Sequence, residues 1–175
     1  IDVYVENRAT WEIAENVSKS PDIYAGRATL DEMVKVTTNA LVYSGLFDKA
    51  AVMFFNEKLM ELRGIYMTSI PPYTEEQLKA FRNKRVPVKK SIIKQLQEYN
   101  KRPDDIESHL ELEDKIFRSI DNVQLTNPLI IVPMMTGNKI YGILITYSNN
   151  KYTNTHIFTT RSTARLLNTM MMAVI

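Results

Sequence analysis

Cysteine is absent from the 175 residues of this chain, which excludes disulfides, a thiolate nucleophile, a zinc ribbon and a thioether-linked chromophore. A chain without cysteine is more typical of a reducing compartment, so we expect a cytoplasmic protein. No apolar run reaches the roughly 18 residues that a membrane-spanning helix needs, and we therefore expect no membrane insertion by this segment.

Glycine is also scarce. The five glycines do not cluster, so the sequence has no glycine-rich loop that could hold a phosphate. No serine stands in a Gly-x-Ser-x-Gly motif. The paired carboxylates Asp104 and Asp105 lie at a predicted helix start, where capping explains them. Nothing nominates a catalytic residue, and we expect the domain alone not to be an enzyme.

The chain has no large excess of charge, because 22 basic and 20 acidic residues leave a net charge of +2. We therefore expect no nucleic-acid partner. The charges are nevertheless segregated: those from Lys79 to Arg102 are basic except Glu98, and residues 104–121 are mainly acidic. One interpretation is an anion site at Arg82 or Arg85. The simpler one is two solvated helix faces that pair with each other.

The two histidines give little support for a metal site. His109 is flanked by Glu107, Glu111 and Glu113, a set that could bind a metal ion. No second histidine is near it, and carboxylates on a polar helix face are usually solvated. We predict no metal, and the residues identify no cofactor.

Hydrophobic periodicity predicts helices and paired strands. The helices cover residues 4–19, start at Thr29 and Thr74, cover Ser91–Tyr99, and start again at Asp104 and Thr155; the strands are Ala50–Phe55, Leu59–Met67, Asn127–Thr136 and Lys139–Ser148. In the second strand, Leu62, Gly64 and Tyr66 are expected to share one face. Short turns between strands predict an antiparallel sheet, and helices at both ends predict an α+β sandwich.

Two stretches resemble a GAF domain, the small-molecule sensor module of signalling proteins. Residues 29–55 give an amphipathic helix, a break at Gly45 and an apolar strand. Residues 127–175 give a strand through Val132-Pro133-Met134, a turn at Gly137, a strand with Ile140-Tyr141-Gly142, and a closing helix. The middle of the chain departs from the family pattern. It lacks the Asn-Lys-Phe-Asp-Glu signature of the cyclic-nucleotide-binding members.

The resemblance implies a GAF-like sandwich: a central antiparallel sheet with the terminal helices on one face and a helical or loop lid on the other. It places a ligand pocket between the strands and the helices of residues 74–120. The candidate ligand-binding residues in it are Phe55, Tyr66, Phe81, Arg82 and Tyr141. Gly142 would let the terminal helices pack tightly on the sheet, and Pro133 should lie at a sheet edge or bulge.

We divide the chain into an N-terminal helix and linker, residues 1–28, and a GAF-like sensor domain, residues 29–175. Because the sequence starts at Ile1 without methionine and ends inside an apolar segment, we expect a piece of a longer, bacterial-type protein. The apolar end around Met170–Met172 predicts a homodimer through the terminal helices, or continuation into a signalling helix.

The expected function is a regulatory sensor domain of a multidomain signal-transduction protein, which binds a small molecule and couples it through the terminal helices to an output domain. The alternative is a ligand-free dimerisation or scaffold module of the same fold. A third hypothesis is an enzyme fragment whose catalytic groups lie elsewhere in the parent chain.

Overall fold

The structure is a computed structural model that describes residues 30–99 and 113–174. In chain order its elements are α1 (Leu30–Tyr43), β1 (Lys49–Asn56), β2 (Glu61–Ser69), α2 (Glu75–Arg82), β3 (Arg85–Pro87), α3 (Lys90–Tyr99), a π-helical segment (Glu113–Arg118), α4 (Ser119–Asp121), β4 (Ile130–Thr136), β5 (Lys139–Tyr147) and α5 (Asn154–Val174). The predicted helix at residues 4–19, the Thr29 cap, the helix start at Asp104 and His109 lie outside the described residues.

The strands form one antiparallel sheet in the order β3-β2-β1-β5-β4. The two predicted hairpins, β1–β2 and β4–β5, are confirmed, and Gly137 takes the positive φ of 61° that the second turn requires. β5 pairs with β1, so the hairpins join in the middle of the sheet. β4 is an edge strand, as Pro133 predicted, because proline offers no amide to a further strand.

The sheet separates two hydrophobic clusters, as the sandwich prediction required. One face packs against α1 and α5 through buried residues such as Val34, Leu41 and Leu167. The other face packs against α2, α3 and the π-helical segment, with Phe81, Ile116 and Phe117 fully buried. The terminal helices therefore share one face, and the inserted helical region covers the other.

Two β-bulges turn side chains to the opposite face of the sheet. The first bulge is in β2: Val52 of β1 pairs with Tyr66, and the next residue, Met53, pairs with Gly64, so Ile65 is the extra residue. The prediction that Leu62, Gly64 and Tyr66 share one face was therefore wrong for Tyr66, whose partner Val52 belongs to the terminal-helix cluster. The second bulge is in β5: Met134 of β4 pairs with Gly142, and the next residue, Met135, pairs with Ile140, which leaves Tyr141 as the extra residue.

Gly142 is required for a different reason from the one expected. A Cβ at this position would clash with the carbonyl oxygen of Met53 and come within 3.2 Å of the Phe54 Cα, both in the neighbouring strand β1. The side chain of Met134 is the other near neighbour. The prediction that Gly142 makes room for the terminal helices was wrong, because the close approach comes from the backbone of the neighbouring strand β1.

The helix that begins after Thr74 has the predicted capping box. The Thr74 hydroxyl accepts a hydrogen bond from the Gln77 amide, and the Gln77 side chain accepts one from the Thr74 amide. The helix ends at Arg82 instead of near Arg85, because residues 85–87 add the short edge strand β3 to β2. The sequence did not predict this strand, since only Val86 within it is buried.

Within the described part of the chain, no helix combines the length and apolar character that crossing a membrane requires.

Candidate functional site

A cavity of about 660 Å³ lies where the turns of the two hairpins meet at one end of the sheet. The end of β1 and the starts of β2 and β5 form its walls, and Arg85 of β3 joins them. It is open to solvent and falls within the volume range of small-molecule sites. The lining residues are Phe54, Phe55, Asn56, Glu57, Lys58, Leu59, Glu61, Arg63, Arg85, Lys139, Ile140 and Tyr141.

Local hydrogen bonds hold both hairpin turns in place. The Asn56 side-chain oxygen accepts from the amides of Lys58 and Leu59 at 3.1 and 3.3 Å, which forms an Asx turn. The Met60 carbonyl accepts from the Val88 amide at 2.8 Å, which ties this turn to the segment after β3. At the other turn, the Gln97 side chain donates to the Asn138 carbonyl at 2.7 Å. The walls of the cavity are therefore preformed.

A row of paired residues crosses four strands beside the cavity. Arg85 of β3 pairs with Arg63 of β2, Arg63 pairs with Phe54 of β1, and Phe54 pairs with Gly142 of β5. Residues paired in this way lie on the same face of a sheet, with their Cβ atoms about 5 Å apart. The two arginines therefore lie next to the ring of Phe54, and Gly142, which has no side chain, lies on the other side of that ring.

Positive charge predominates around the cavity. The cationic lining residues are Lys58, Arg63, Arg85 and Lys139, and the acidic ones are Glu57 and Glu61. The Arg85 Nε lies 3.9 Å from the Glu61 Oε1, and the Arg85 Nη1 donates to the carbonyls of Arg82 and Lys84 at 2.9 and 3.0 Å. The Lys139 ammonium lies 5.2 Å from the centre of the Tyr141 ring. In residues 30–99 and 113–174, Arg63 has no carboxylate partner.

The opposite end of the sheet holds a buried polar cluster, which consists of Lys49, Ser69, Tyr73 and Asp121. The Lys49 ammonium forms an ion pair with the Asp121 carboxylate at 2.9 Å, and both side chains are at most 10% exposed. It also donates to the Ser69 hydroxyl at 3.1 Å and the Tyr73 hydroxyl at 3.2 Å. The cluster therefore ties α4 to the start of β1 and the end of β2.

Tyr73 completes the cluster by donating its hydroxyl proton to the Asp121 Oδ2 at 2.8 Å. Burial raises the pKa of Tyr73 far above its usual value of 10.0, and the negative charge of Asp121 raises it further. The Lys49 ammonium also lies 5.1 Å from the centre of the Tyr73 ring. Tyr73 thus remains a protonated donor, and its role here is structural.

His156 is buried at this same end of the sheet, between Phe47 before β1 and Tyr152 after β5. Both rings meet the imidazole edge-on, with centroid distances of 5.5 and 5.4 Å. The Thr153 amide lies 3.0 Å from the His156 Nδ1 and donates to it. Burial lowers the pKa of His156, so the neutral ring is favoured.

Solved structures of similar shape come from proteins of several kinds. The GAF domain of a phosphoenolpyruvate-protein phosphotransferase from Coxiella burnetii is 11% identical, over 96% of this chain and 93% of that chain, with a TM-score of 0.67. A methyl-accepting chemotaxis protein is 12% identical, over 93% of this chain and 96% of that segment, with a TM-score of 0.64. The chain has a GAF-like fold.

A third similar structure is a free methionine-R-sulfoxide reductase from Neisseria meningitidis, which was determined in complex with its substrate. It is 12% identical, over 99% of this chain and 90% of that chain, with a TM-score of 0.57. The sequence itself matches no protein-family model and no curated protein. At these identities the likeness establishes the fold, and function has to be argued from the site.

The GAF-like fold does not bring the five predicted ligand residues together. Phe55 and Tyr141 line the cavity. Tyr66 lies beyond the bulge, where burial raises its pKa above 10.0. Phe81 is fully buried, with its backbone packed against Gly64. Arg82 is exposed at the end of α2. The ligand-binding assignment of these residues stays a prediction.

The face of the sheet beneath α2, α3 and the π-helical segment is where the GAF resemblance placed the pocket. In the described part of the chain this region is packed with side chains from the domain itself. Those contributed by α2, α3 and the π-helical segment are Leu78, Phe81, Leu96, Ile116 and Phe117, all at most 8% exposed. Open space in the described part of the chain lies instead at the hairpin end and, in a smaller cavity of about 340 Å³, between β4 and α5.

Sequence reasoning named Arg85 as a possible anion site but missed Lys49 at one end of the sheet and Arg63 at the other. Lys49 opens the apolar run of β1, and this lone lysine at a buried strand was the available signal for a paired carboxylate. Arg63 carried no signal, because its pairing with Arg85 depends on the unpredicted strand β3. Across residues 30–99 and 113–174, histidine and carboxylate side chains form no group of three that could bind a metal.

Proposed function

We propose that this chain is the regulatory sensor domain of a multidomain signal-transduction protein of the cytoplasm. The observation that carries the proposal is the preformed cavity at the hairpin end of a GAF-like fold. Two of its wall residues, Phe54 and Tyr141, also pack against the hydrophobic cluster to which the terminal helices contribute. A small molecule bound there would shift the domain toward the state that it binds more tightly.

The route from cavity to helices is short. Phe54 and Tyr141 line the cavity and also pack against the cluster that contains side chains of α1 and α5. A ligand that contacts these two rings would therefore act on the packing of both terminal helices. An output domain attached to either helix could read this change, provided that the ligand distinguishes between two arrangements.

The partner proposed for the terminal helices is a second copy of this chain. Phe158 of α5 and Tyr43 of α1 are 41% and 63% exposed, although both are large and apolar enough to favour burial. Met170 and Met172 extend the partly buried apolar surface toward the end of α5. A homodimer through α1 and α5 would cover these side chains.

The second candidate function is a ligand-free dimerisation or scaffold module. It is favoured by the side-chain packing beneath α2, α3 and the π-helical segment. In this case the terminal helices would act as a constitutive dimer contact, and the hairpin-end cavity would hold only water.

No catalytic role is proposed. Reduction of a sulfoxide requires two electrons, and cysteine thiols are the side chains that commonly supply them. This chain has no cysteine, so the activity named for the structurally similar reductase does not carry over to it.

Native mass spectrometry of the purified chain, before and after mild denaturation, tests both candidates. The sensor proposal predicts a dimer with an additional mass that is lost on denaturation. A dimer without additional mass would favour the scaffold module. A monomer without additional mass would contradict the dimer for this segment, and Phe158→Glu should convert a dimer to a monomer under either candidate.

A further inference from the structure

We infer that the hairpin-end cavity binds an organic anion, with its phosphate or carboxylate group at Arg63 and Arg85 and a planar apolar part against Phe54 and Tyr141. This inference deepens the proposed sensor function and rests on it. It identifies the class of ligand and the residues that select it.

Two arginines are paired across β2 and β3. Arg63 and Arg85 are directly opposite each other on one face, and both are exposed. Like charges in this position repel each other and destabilise a strand pair. A phosphate or carboxylate between them would remove the repulsion and could accept two hydrogen bonds from each guanidinium.

The two arginines differ in their surroundings. The Nη1 of Arg85 is fixed by the carbonyls of Arg82 and Lys84, which orients the guanidinium before any ligand arrives. Glu61 lies 3.9 Å from its Nε and offsets only part of the charge. Arg63 has no carboxylate partner in the described part of the chain, so it is available to an anion.

An apolar surface lies next to the two arginines. Phe54 is the register neighbour of Arg63, and Gly142 on its other side leaves the ring without a flanking side chain. The bulge at Tyr141 brings a second aromatic ring to the cavity, with the Lys139 ammonium 5.2 Å from its centre. Phosphate or carboxylate alone would use the arginines, whereas a ring attached to it would also use this aromatic surface.

Phenyl phosphate and benzoate are suitable probes, because each joins a ring to one of the two anionic groups. Inorganic phosphate supplies the charge without the ring, and benzyl alcohol supplies the ring without the charge. Amide shifts of the ¹⁵N-labelled chain, titrated with each compound, give both the site and the affinity.

The expected result is binding of phenyl phosphate or benzoate with shifts at the amides of Phe54, Arg63 and Tyr141. The better probe should bind at least about tenfold more tightly than either inorganic phosphate or benzyl alcohol. The stronger of the two probes identifies the anionic group.

The matched variants are Arg63→Gln at the site and Lys94→Gln, which removes an exposed charge from α3. Arg63→Gln should weaken binding roughly tenfold, and Lys94→Gln should change it less than twofold. Lys139→Gln provides a second site variant if Arg63→Gln does not give a folded amide spectrum.

Three outcomes would overturn the inference: no probe binds at millimolar concentration, the shifts fall outside the hairpin end, or inorganic phosphate binds as tightly as phenyl phosphate. If native mass spectrometry still showed a dimer with a releasable ligand, only this inference would fail and the sensor function would stand. If the chain carried no releasable ligand and bound no probe, both would fail.

Discussion

Strand β1 begins at a buried lysine and ends beside an exposed arginine pair, so the two ends of the same sheet differ in how they balance positive charge. At the first end, Lys49 contacts Asp121, Tyr73 and Ser69 and is almost completely buried. At the other end, Arg63 faces Arg85 at the rim of an open cavity. Charge that is neutralised within the fold can remain buried, whereas charge left unmatched at a cavity is available to a ligand.

The buried end should be the more sensitive to substitution. Asp121→Ala would leave the Lys49 ammonium buried without its carboxylate, and we expect the free energy of unfolding to fall by about 3–5 kcal/mol. Urea denaturation followed by circular dichroism would measure the change.

The double variant Lys49→Met with Asp121→Leu is the control for that experiment. It removes both charges together, so its stability should lie much closer to that of the parent chain. A loss below about 1 kcal/mol for Asp121→Ala alone would show that water replaces the carboxylate, and that this end is not sealed.

Tyr73→Phe should have an intermediate effect at the buried end. It removes the hydroxyl that donates to Asp121, a hydrogen bond to a charged group worth about 1.5–3 kcal/mol. Because the pKa of Tyr73 is raised in the folded state, the parent chain should also lose stability as the pH rises above about 10, where the unfolded tyrosine ionises. The Tyr73→Phe variant should lose less stability over the same alkaline range, and an identical pH dependence would contradict the assignment.

His156 should make the buried end sensitive to acid. Its pKa is lowered in the folded state, so protons bind more readily to the unfolded chain, and stability should fall as the pH drops below the usual histidine pKa of 6.5. Thermal unfolding of the parent chain and of His156→Gln, compared between pH 7.5 and 5, would measure this contribution. Equal acid losses in the two proteins would assign the effect to other groups.

At the cavity end, removing one arginine should have a small effect of the opposite sign. Arg63→Gln removes the repulsion from Arg85, and we expect a gain in stability of a few tenths of a kcal/mol in the absence of ligand. The gain should shrink at high salt, since both side chains are exposed. Lys94→Gln should show no such gain, and a loss of stability in Arg63→Gln would mean that the arginine pair is already compensated.

Much of the architecture was predictable because hydrophobic patterning is local. The apolar run of β1, the turn at Gly137 and the capping box of Thr74 and Gln77 each depend on neighbouring residues, and each was confirmed. The edge position of β4 was confirmed as well, since Pro133 alone excludes a further strand partner there.

The candidate site was much less predictable. Tyr141 and Phe55 line the hairpin-end cavity, although the pocket was predicted between the strands and the helices of residues 74–120. Tyr66 was assigned to the wrong face, because a bulge at Ile65 shifts its register. Phe81 fills the core, because its helix packs directly over Gly64. The error in the face of Tyr66 arises because one inserted residue reverses which face the following side chains occupy.

The sequence by itself determined the two antiparallel hairpins, the capped helix after Thr74 and the absence of thiol chemistry, because these depend on composition and on contacts close in the chain. Only the tertiary structure decided that Lys49 meets Asp121, 72 residues away, and that Arg63 faces Arg85 across an unpredicted strand. Long-range pairings of this kind depend on strand register and on how helices cover the sheet. A local pattern of residues does not encode either of them.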